Sequence, residues 1–395
     1  MSIRIFHTAD LHLGSEYRSF GDKAKELQQE CLNAFEKMAG YVTNPLNGIH
    51  IMIIAGDLFD THRPDLPLAE KVQDLLLQVV RKGITLFVLP GNHDSYSYKN
   101  SIYRAEDFPG HVIQSPEFTL AQELNINGQL ACIYSGIFDI NNSHKRMLND
   151  FKLIQKPGAH IGILHATLEM REIDIPEREL PFSYEEFRQS GLNYLALGHF
   201  HGYFEKQTDQ AHKFAYPGTI IPRKINEYGE KYACVVEIKL DNSVRIEKLQ
   251  FSKVRSEKRN IDLAQEDITD MKTLLSAIKK RRDAHLILDL VLEGVADFSI
   301  DESLMKERLK DDFFHVRITN NVKYVNSSII DQLKDEETIR GLFFKKLAKH
   351  KTSTPQEQAV LNQAMNLGLK EFVNVQEEKE PAIKVVDTQD IMEID

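Results

Sequence analysis

The chain has 395 residues, 42% hydrophobic and 27% charged, with a formal net charge of −10, an ordinary globular composition with length for two or three domains. No apolar run approaches the span of a bilayer, Ile3 to His7 reads as a first core strand that leaves no room for a leader, and three widely spaced cysteines (Cys31, Cys132, Cys234) exclude a disulfide framework and point to the cytoplasm. Half of the negative charge lies in residues 374–395, where seven acids face only Lys379 and Lys384, so a surface that binds phosphate has to be local.

A strand over about 3–7 leads into a loop from Thr8 to Ser15. Leu27, Cys31, Phe35 and Met38 recur at four-and-three spacing and predict a helix over 22–43. Strand Ile51–Ala55 ends in Gly56-Asp57-Leu58-Phe59-Asp60. A helix over 68–82 (Val72, Leu75, Leu76, Val79) returns to strand Thr85–Leu89, which stops in Gly91-Asn92-His93-Asp94. Alternating helices and continuously apolar strands mean a mostly parallel sheet covered on both faces, with ligands gathered at the carboxyl ends of the strands.

Residues 95–160 are less regular, with a tyrosine-rich loop, a short strand near 130–134 and a helix over 143–154. Strands near 160–164, 193–197, 213–216, 232–238 and 243–250 are expected to complete a second sheet, the last two as antiparallel neighbours. The first domain therefore spans 1–250, and the polar, basic stretch within 251–260 is the linker. Helix 267–282, strand 285–292, helix 301–310 and strand 313–318 predict a small α/β cap over 261–320. Apolar spacing over 328–349 (Ile329, Ile330, Leu333, Ile339, Leu342, Phe343, Leu347) and 355–372 (Val360, Leu361, Met365, Leu369, Phe372) predicts a helical hairpin, 328–373, that docks on a partner or on the cap. The acidic tail, 374–395, is expected to be disordered. The fold class is α/β: a two-sheet sandwich flanked by helices, with a cap and a C-terminal hairpin.

Five of these strands end in polar residues of one kind. Asp10 and His12 alternate along an extended segment, and Asp57, Asn92, His165, His199 and His201 follow buried apolar runs, where a carboxylate is costly unless it meets a cation. One buried histidine is usually a hydrogen-bonded core residue; seven oxygen and nitrogen donors at strand ends, none of them cysteine, are a metal site. Mixed carboxylate, imidazole and amide donors favour Mn²⁺, with iron, zinc or magnesium as alternatives. The basic run Lys279-Lys280-Arg281-Arg282 at a helix C-terminus is read either as complementing the helix dipole or as a contact for a DNA backbone.

Asp10-x-His12, Gly56-Asp57-x-x-Asp60, Gly91-Asn92-His93-Asp94, His165 and Gly198-His-x-His201 resemble the five motifs of the calcineurin-like metallophosphoesterases. His7-Thr-Ala-Asp-Leu-His-Leu-Gly14, Gly56-Asp-Leu-Phe-Asp-Thr61 and Tyr216-Pro-Gly-Thr219 are similar to the SbcD and double-strand-break repair nuclease branch, including YhaO-type proteins. The motifs run from His7 to Thr219; the cap and terminal helices match in layout only.

The resemblance implies two ions bridged by Asp57, one completed by Asp10, His12 and His201 and the other by Asn92, His165 and His199, with hydroxide formed on a metal attacking phosphorus. It further implies that His93 protonates or stabilises the leaving 3′ oxygen and that Asp94 orients His93. Some nuclease relatives carry a histidine where this chain has Asp60; His62, two residues on, is a substitute. Implied with these are cleavage of DNA from its ends, a homodimer, and an SMC-like coiled-coil ATPase, or another ATPase motor, gripping the terminal helices, since this chain lacks a phosphate-binding G-x-x-x-x-G-K-[ST] loop. The rival readings are a phosphodiesterase acting on a small nucleotide and a metal-binding scaffold for an ATPase. A protein phosphatase fits worse, because Thr61 and Asp94 stand where those enzymes carry Arg and Glu.

Overall fold

In a computed structural model of the chain, the described residues are 2–139, 142–149, 151–169, 179–296, 298–324 and 336–350, together with 354, 357, 360, 361, 364, 365 and 368. They fall into two compact units, Met1–Glu257 with His285–Ile287, and Lys258–Ala284 with the residues from Leu288 on.

The first unit begins with β1 (Ser2–Thr8), α1 (Ala24–Thr43), β2 (Ile51–Ala55), α2 (Leu66–Arg81), β3 (Thr85–Leu89) and the edge strand β4 (His111–Val112). β1 to β4 pair in parallel. A second sheet is built from β5 (Thr119–Ile126), β6 (Gln129–Ser135), β7 (Ala159–His165), β8 (Tyr194–Gly198), β9 (Phe204–Asp209) and β10 (His212–Tyr216), with α3 (Tyr184–Ser190) before β8. Its order is β5-β6-β7-β8-β10-β9.

The chain then returns to the first sheet with β11 (Ala233–Lys239) and β12 (Val244–Leu249), in the order β12-β11-β1-β2-β3-β4. This corrects the expectation that these two strands extend the second sheet. β11 lies antiparallel to β1, Ile5 opposite Val236. It thereby pairs the edge of β1, which would otherwise be open, while Cys234, Val236 and Ile238 complete the apolar layer between the sheets.

Period-two alternation decides the layers. Ile51, Ile53 and Ala55 of β2 meet Ile133, Ile161, Ile163 and Ala196 of the other sheet. The predicted face of α1 (Leu27, Cys31, Phe35, Met38) is buried, and the outer side of the second sheet is closed by Phe182, Phe187, Leu195, Leu197 and Phe214. The helix expected over 143–154 is not formed by the described residues there. Lys145 N–H donates to Asn142 O at 2.8 Å and Phe151 N–H to Leu148 O at 3.4 Å, turn bonds that let Met147 and Leu148 drop into the outer core.

The second unit contains β13 (Arg255–Asp262) from Lys258 on, α4 (Met271–Lys279), β14 (Asp283–Glu293) apart from His285–Ile287, β15 (Val295–Ala296), α5 (Glu302–Leu309), β16 (Phe313–Asn320), β17 (Lys323–Tyr324) and the helix Ile339–Ala348. Its main sheet runs β13-β14-β16. Residues 255–260, expected as linker, are thus strand. α4 starts at Met271 because Asp270 accepts from Thr273 N–H at 2.7 Å, and it stops at Lys279, leaving Lys280 to Arg282 beyond it rather than on it. Phe344 and Met365 pack with Phe343, Leu347 and Leu361. Ile329, Ile330, Leu333, Leu369, Phe372 and the tail 374–395 lie outside the described residues. No helix among the described residues is long and apolar enough to cross a membrane.

Candidate metal centre

The loops after β1, β2, β3, β7 and β8 open at one end of the sandwich and are tied to each other by their backbones. Asp10 N–H donates to Gly56 O at 3.1 Å, His12 N–H to Asp57 O at 2.9 Å and Asp60 N–H to Leu13 O at 3.1 Å. Asp10, His12, Asp57 and His199 hold φ at 52°, 45°, 51° and 100°, a region side chains avoid unless their surroundings impose it. Close approach explains two glycines beside them. A Cβ at Gly56 would lie 1.9 Å from His165 Nδ1, and one at Gly91 would lie 2.0 Å from Asp57 Oδ1.

Asp57 Oδ2 sits 3.5 Å from His12 Nε2 and 3.5 Å from His165 Nε2, the middle position expected of a bridging carboxylate. On one side, His12 Nε2 is 3.3 Å from His201 Nε2, and donor atoms of Asp10, His12 and His201 lie within 4.8 Å of one another. On the other, His165 Nε2 is 3.0 Å from Asn92 Oδ1 and its ring stands edge-on to His199 at 5.2 Å. The outward nitrogens are tied. His165 Nδ1–H donates to Ala55 O at 3.0 Å and His201 Nδ1–H to Glu227 Oε1 at 2.9 Å, which leaves both Nε2 atoms as acceptors facing the cluster, that of His165 toward Asp57 and that of His201 toward His12. The seven sequence-predicted donors are thus gathered in one cluster.

Burial sets the electrostatics of the cluster. Burial, with the Asp57 carboxylate beside it, holds Asp10 well above the usual carboxylate range, and burial lifts Asp57 to about 6. Burial also drives His165 down to about 3 and, with Arg223 and its neighbouring imidazoles, pushes His12 far below its ordinary value. Carboxyls that resist ionisation beside imidazoles that resist protonation are a donor set that fits a divalent cation, which reverses the cost for the carboxylates and binds neutral imidazole.

The remaining predicted residues are placed as follows. His93 N–H donates to Asp57 Oδ1 at 3.0 Å and its ring, 40% exposed, stands 4.7 Å from that of His12. Asp94 does not bond His93. Fully buried, it accepts from Gly91 N–H at 2.7 Å, from Phe59 N–H at 3.0 Å and from Tyr103 O–H at 2.5 Å, so it staples the β2 and β3 loops together, and burial raises it to about 7. Asp60, 3.9 Å from His93 Nδ1, is bound at 2.5 Å by Arg223 Nη2. His62 stacks on Tyr98, ring centres 3.9 Å apart, away from that position. In the second unit Lys279 pairs with Asp312 at 2.7 Å, while Lys280, Arg281 and Arg282 are exposed.

The sequence reading missed Arg223 and Glu227. Arg223 Nη1 donates to His12 Nε2 at 3.0 Å, its side chain is 14% exposed, and its Nε is buried without a hydrogen-bond partner among the described residues. Glu227 Oε2 accepts from Arg223 N–H at 2.8 Å. The signal available was position alone, since both follow shortly after the Tyr216-Pro-Gly-Thr219 motif.

A site of oxygen and imidazole donors between two sheets, fed by five strand ends, defines a metal-dependent phosphoesterase, and the calcineurin-like phosphoesterase family matches residues 3–203 of this chain, which belongs to it. Among its relatives, it is 23% identical over 306 residues to the metallophosphoesterase YhaO of Bacillus subtilis (strain 168), covering 74% of this chain and 72% of that protein. It is 26% identical over 254 residues to the DNA double-strand break repair protein Mre11 of Aeropyrum pernix, covering 57% and 55%. Over 98 residues it is 33% identical to a subunit of the nuclease SbcCD of Escherichia coli (strain K12), covering 25% and 23%. These relatives agree with the branch that the motifs resemble.

Proposed function

We propose that the protein is a dinuclear-metal DNA nuclease. The observation that carries this reading is Asp57 Oδ2 lying between His12 and His165 at 3.5 Å from each, with Asp10 and His201 on one side and Asn92 and His199 on the other. Two Mn²⁺ ions held by these residues would supply an ionised water near neutral pH and clamp the attacking and leaving oxygens of a phosphoryl displacement.

The chain's own groups supply the rest. Arg223, braced by Asp60, brings Nη1 to the centre, 3.0 Å from His12 Nε2; with His12 committed to a metal, that N–H would turn to a phosphate oxygen. The guanidinium fills the cationic role left open by Asp60 standing where some relatives have histidine. His93, exposed beside His12 and fixed through its backbone, is placed to protonate the leaving oxygen. Asp94 acts by positioning the loop that bears it.

DNA as substrate, a homodimer, and an SMC-like or other ATPase partner on the C-terminal helices rest on the relatives named for DNA double-strand break repair and as part of a nuclease. The exposed Lys280, Arg281 and Arg282, with Lys279, are offered as a DNA-backbone contact. Three free, buried cysteines suit the reducing cytoplasm.

The test is digestion of end-labelled duplex and single-stranded DNA with Mn²⁺, Mg²⁺ or chelator. Cleavage that needs metal, is lost in Asp57→Asn and falls by about 10²–10⁴-fold in His93→Leu at unchanged Mn²⁺ binding is expected. Hydrolysis of bis-p-nitrophenyl phosphate with DNA left intact would refute the nuclease reading in favour of a small phosphodiester substrate.

A further inference from the structure

Between the two histidines of Gly198-His199-Phe200-His201 stands a phenylalanine that is 44% exposed, an unfavourable place for an apolar ring unless something covers it. Beside it opens a cavity of about 120 Å³ whose walls include Leu168, His199, Phe200, Phe204 and Tyr216. Phe200 and Tyr216 meet edge to face at 5.9 Å.

The Tyr216 hydroxyl on this wall is already engaged on both sides. Tyr216 O–H donates to Ala166 O at 2.8 Å and accepts from Leu168 N–H at 3.0 Å, and Thr167 Oγ1 accepts from Glu179 N–H at 3.1 Å. Apart from Thr167 and His199, the described walls of the cavity are aromatic and aliphatic, a surface that takes a flat ring. The cavity is also far smaller than the roughly 300–1,000 Å³ that engulf a whole small molecule. What it can take is one flat ring of a larger substrate whose phosphate lies at the metal centre, since His199 belongs to both.

We propose that this cavity is a subsite for a single unpaired nucleobase next to the phosphate being cleaved, with Phe200 as its stacking face. The assignment rests on the reading of the centre as a DNA phosphodiesterase and narrows its substrate. The base enters only when out of the duplex, so the enzyme acts on single strands or frayed ends, and with a largely apolar wall and the Tyr216 hydroxyl engaged, stacking outweighs edge readout and any base is accepted.

Two measurements test this separately from the nuclease reading. In chelator, full-length protein is titrated into a single-stranded oligonucleotide ending in 2-aminopurine. Wild type quenches the fluorescence, while Phe200→Leu and Phe200→Ala abolish the quench and weaken binding by about tenfold, with Mn²⁺ content on reconstitution equal to wild type. Wild type binding without a quench, or an equal quench in Phe200→Leu, overturns the subsite. With Mn²⁺, an oligonucleotide that is abasic at the nucleotide adjoining the cut is cleaved about tenfold less efficiently by wild type, and Phe200→Ala does not distinguish it from the intact strand; equal cleavage by wild type overturns the subsite. DNA left uncut by a protein that quenches 2-aminopurine overturns the nuclease reading alone.

Discussion

Replacing Glu227 with glutamine tests whether His201 is a metal ligand held from behind. Glu227 Oε1 lies 2.9 Å from His201 Nδ1 and its side chain is 13% exposed. Burial alone would raise this carboxyl, but the bond and charge of His201, with Lys231 nearby, outweigh it and hold the group below the usual range. It is therefore a carboxylate at neutral pH, fixing the histidine tautomer and increasing the donor strength of Nε2.

Removing such a partner costs about 10–100-fold in metal affinity, or about 1.4–2.7 kcal/mol. Glu227 also faces Lys231 at 3.9 Å, a lysine 3% exposed whose pKa burial already lowers. Glu227→Gln therefore also weakens folding, and Glu227→Gln with Lys231→Met is expected to regain stability without regaining affinity. Calorimetric Mn²⁺ titration, with urea unfolding alongside, separates the two effects. Wild-type affinity in a folded Glu227→Gln protein would show that His201 does not need this support and would sink the assignment.

Three further outcomes follow from the geometry. Gly91→Ala forces a Cβ to 2.0 Å from Asp57 Oδ1 and 2.6 Å from its backbone nitrogen, and should cost about 1–3 kcal/mol of stability and lower Mn²⁺ affinity; an unchanged melting curve and titration would contradict this. Tyr103→Phe removes one of the three donors to the buried Asp94, with an expected loss of about 1–3 kcal/mol in urea unfolding, and a wild-type midpoint would argue against the staple. For pH, Asp57 stands near 6 and Asp10 is raised, while His165 near 3 is already neutral. The Asp57 proton must leave when metal binds below about pH 6, so affinity falls as pH drops through this value; calorimetry in buffers of different ionisation enthalpy should show more protons released at about pH 5.5 than at about pH 8, and equal release at the two would refute it.

The strands that feed the centre were legible because each is buried on both faces and its apolar run ends where the ligand begins, as in Ile51 to Asp57 and Tyr194 to His199. The placement of β11 and β12 was not: their alternation announces an antiparallel pair but does not say which sheet edge accepts it. β5 escaped notice because its residues alternate only between exposed and half-buried. Residues 143–154 were expected as a helix, whereas the described part binds Arg146 to Glu186 at 2.6 Å and to Glu169 at 2.8 Å and turns instead. The orientation of His93 by Asp94 was implied by the family resemblance alone; the carboxylate turns back onto loops 35 residues away at Phe59 and 3 away at Gly91. Arg223 reaches Asp60 across 163 residues, a distance over which local pattern carries no information.

The donors come from both halves of the sandwich, Asp10, His12, Asp57 and Asn92 from one sheet and His165, His199 and His201 from the other. A cation seated among them is a rivet as well as a reagent. Each tenfold excess of free metal over its dissociation constant adds about 1.4 kcal/mol against unfolding, and the reinforcement is shared, because neither sheet can peel away without giving up the ion. Slowed amide exchange on adding Mn²⁺ should accordingly spread through β2 and β7 together, making the first unit one cooperative block whose melting point reads out the metal supply.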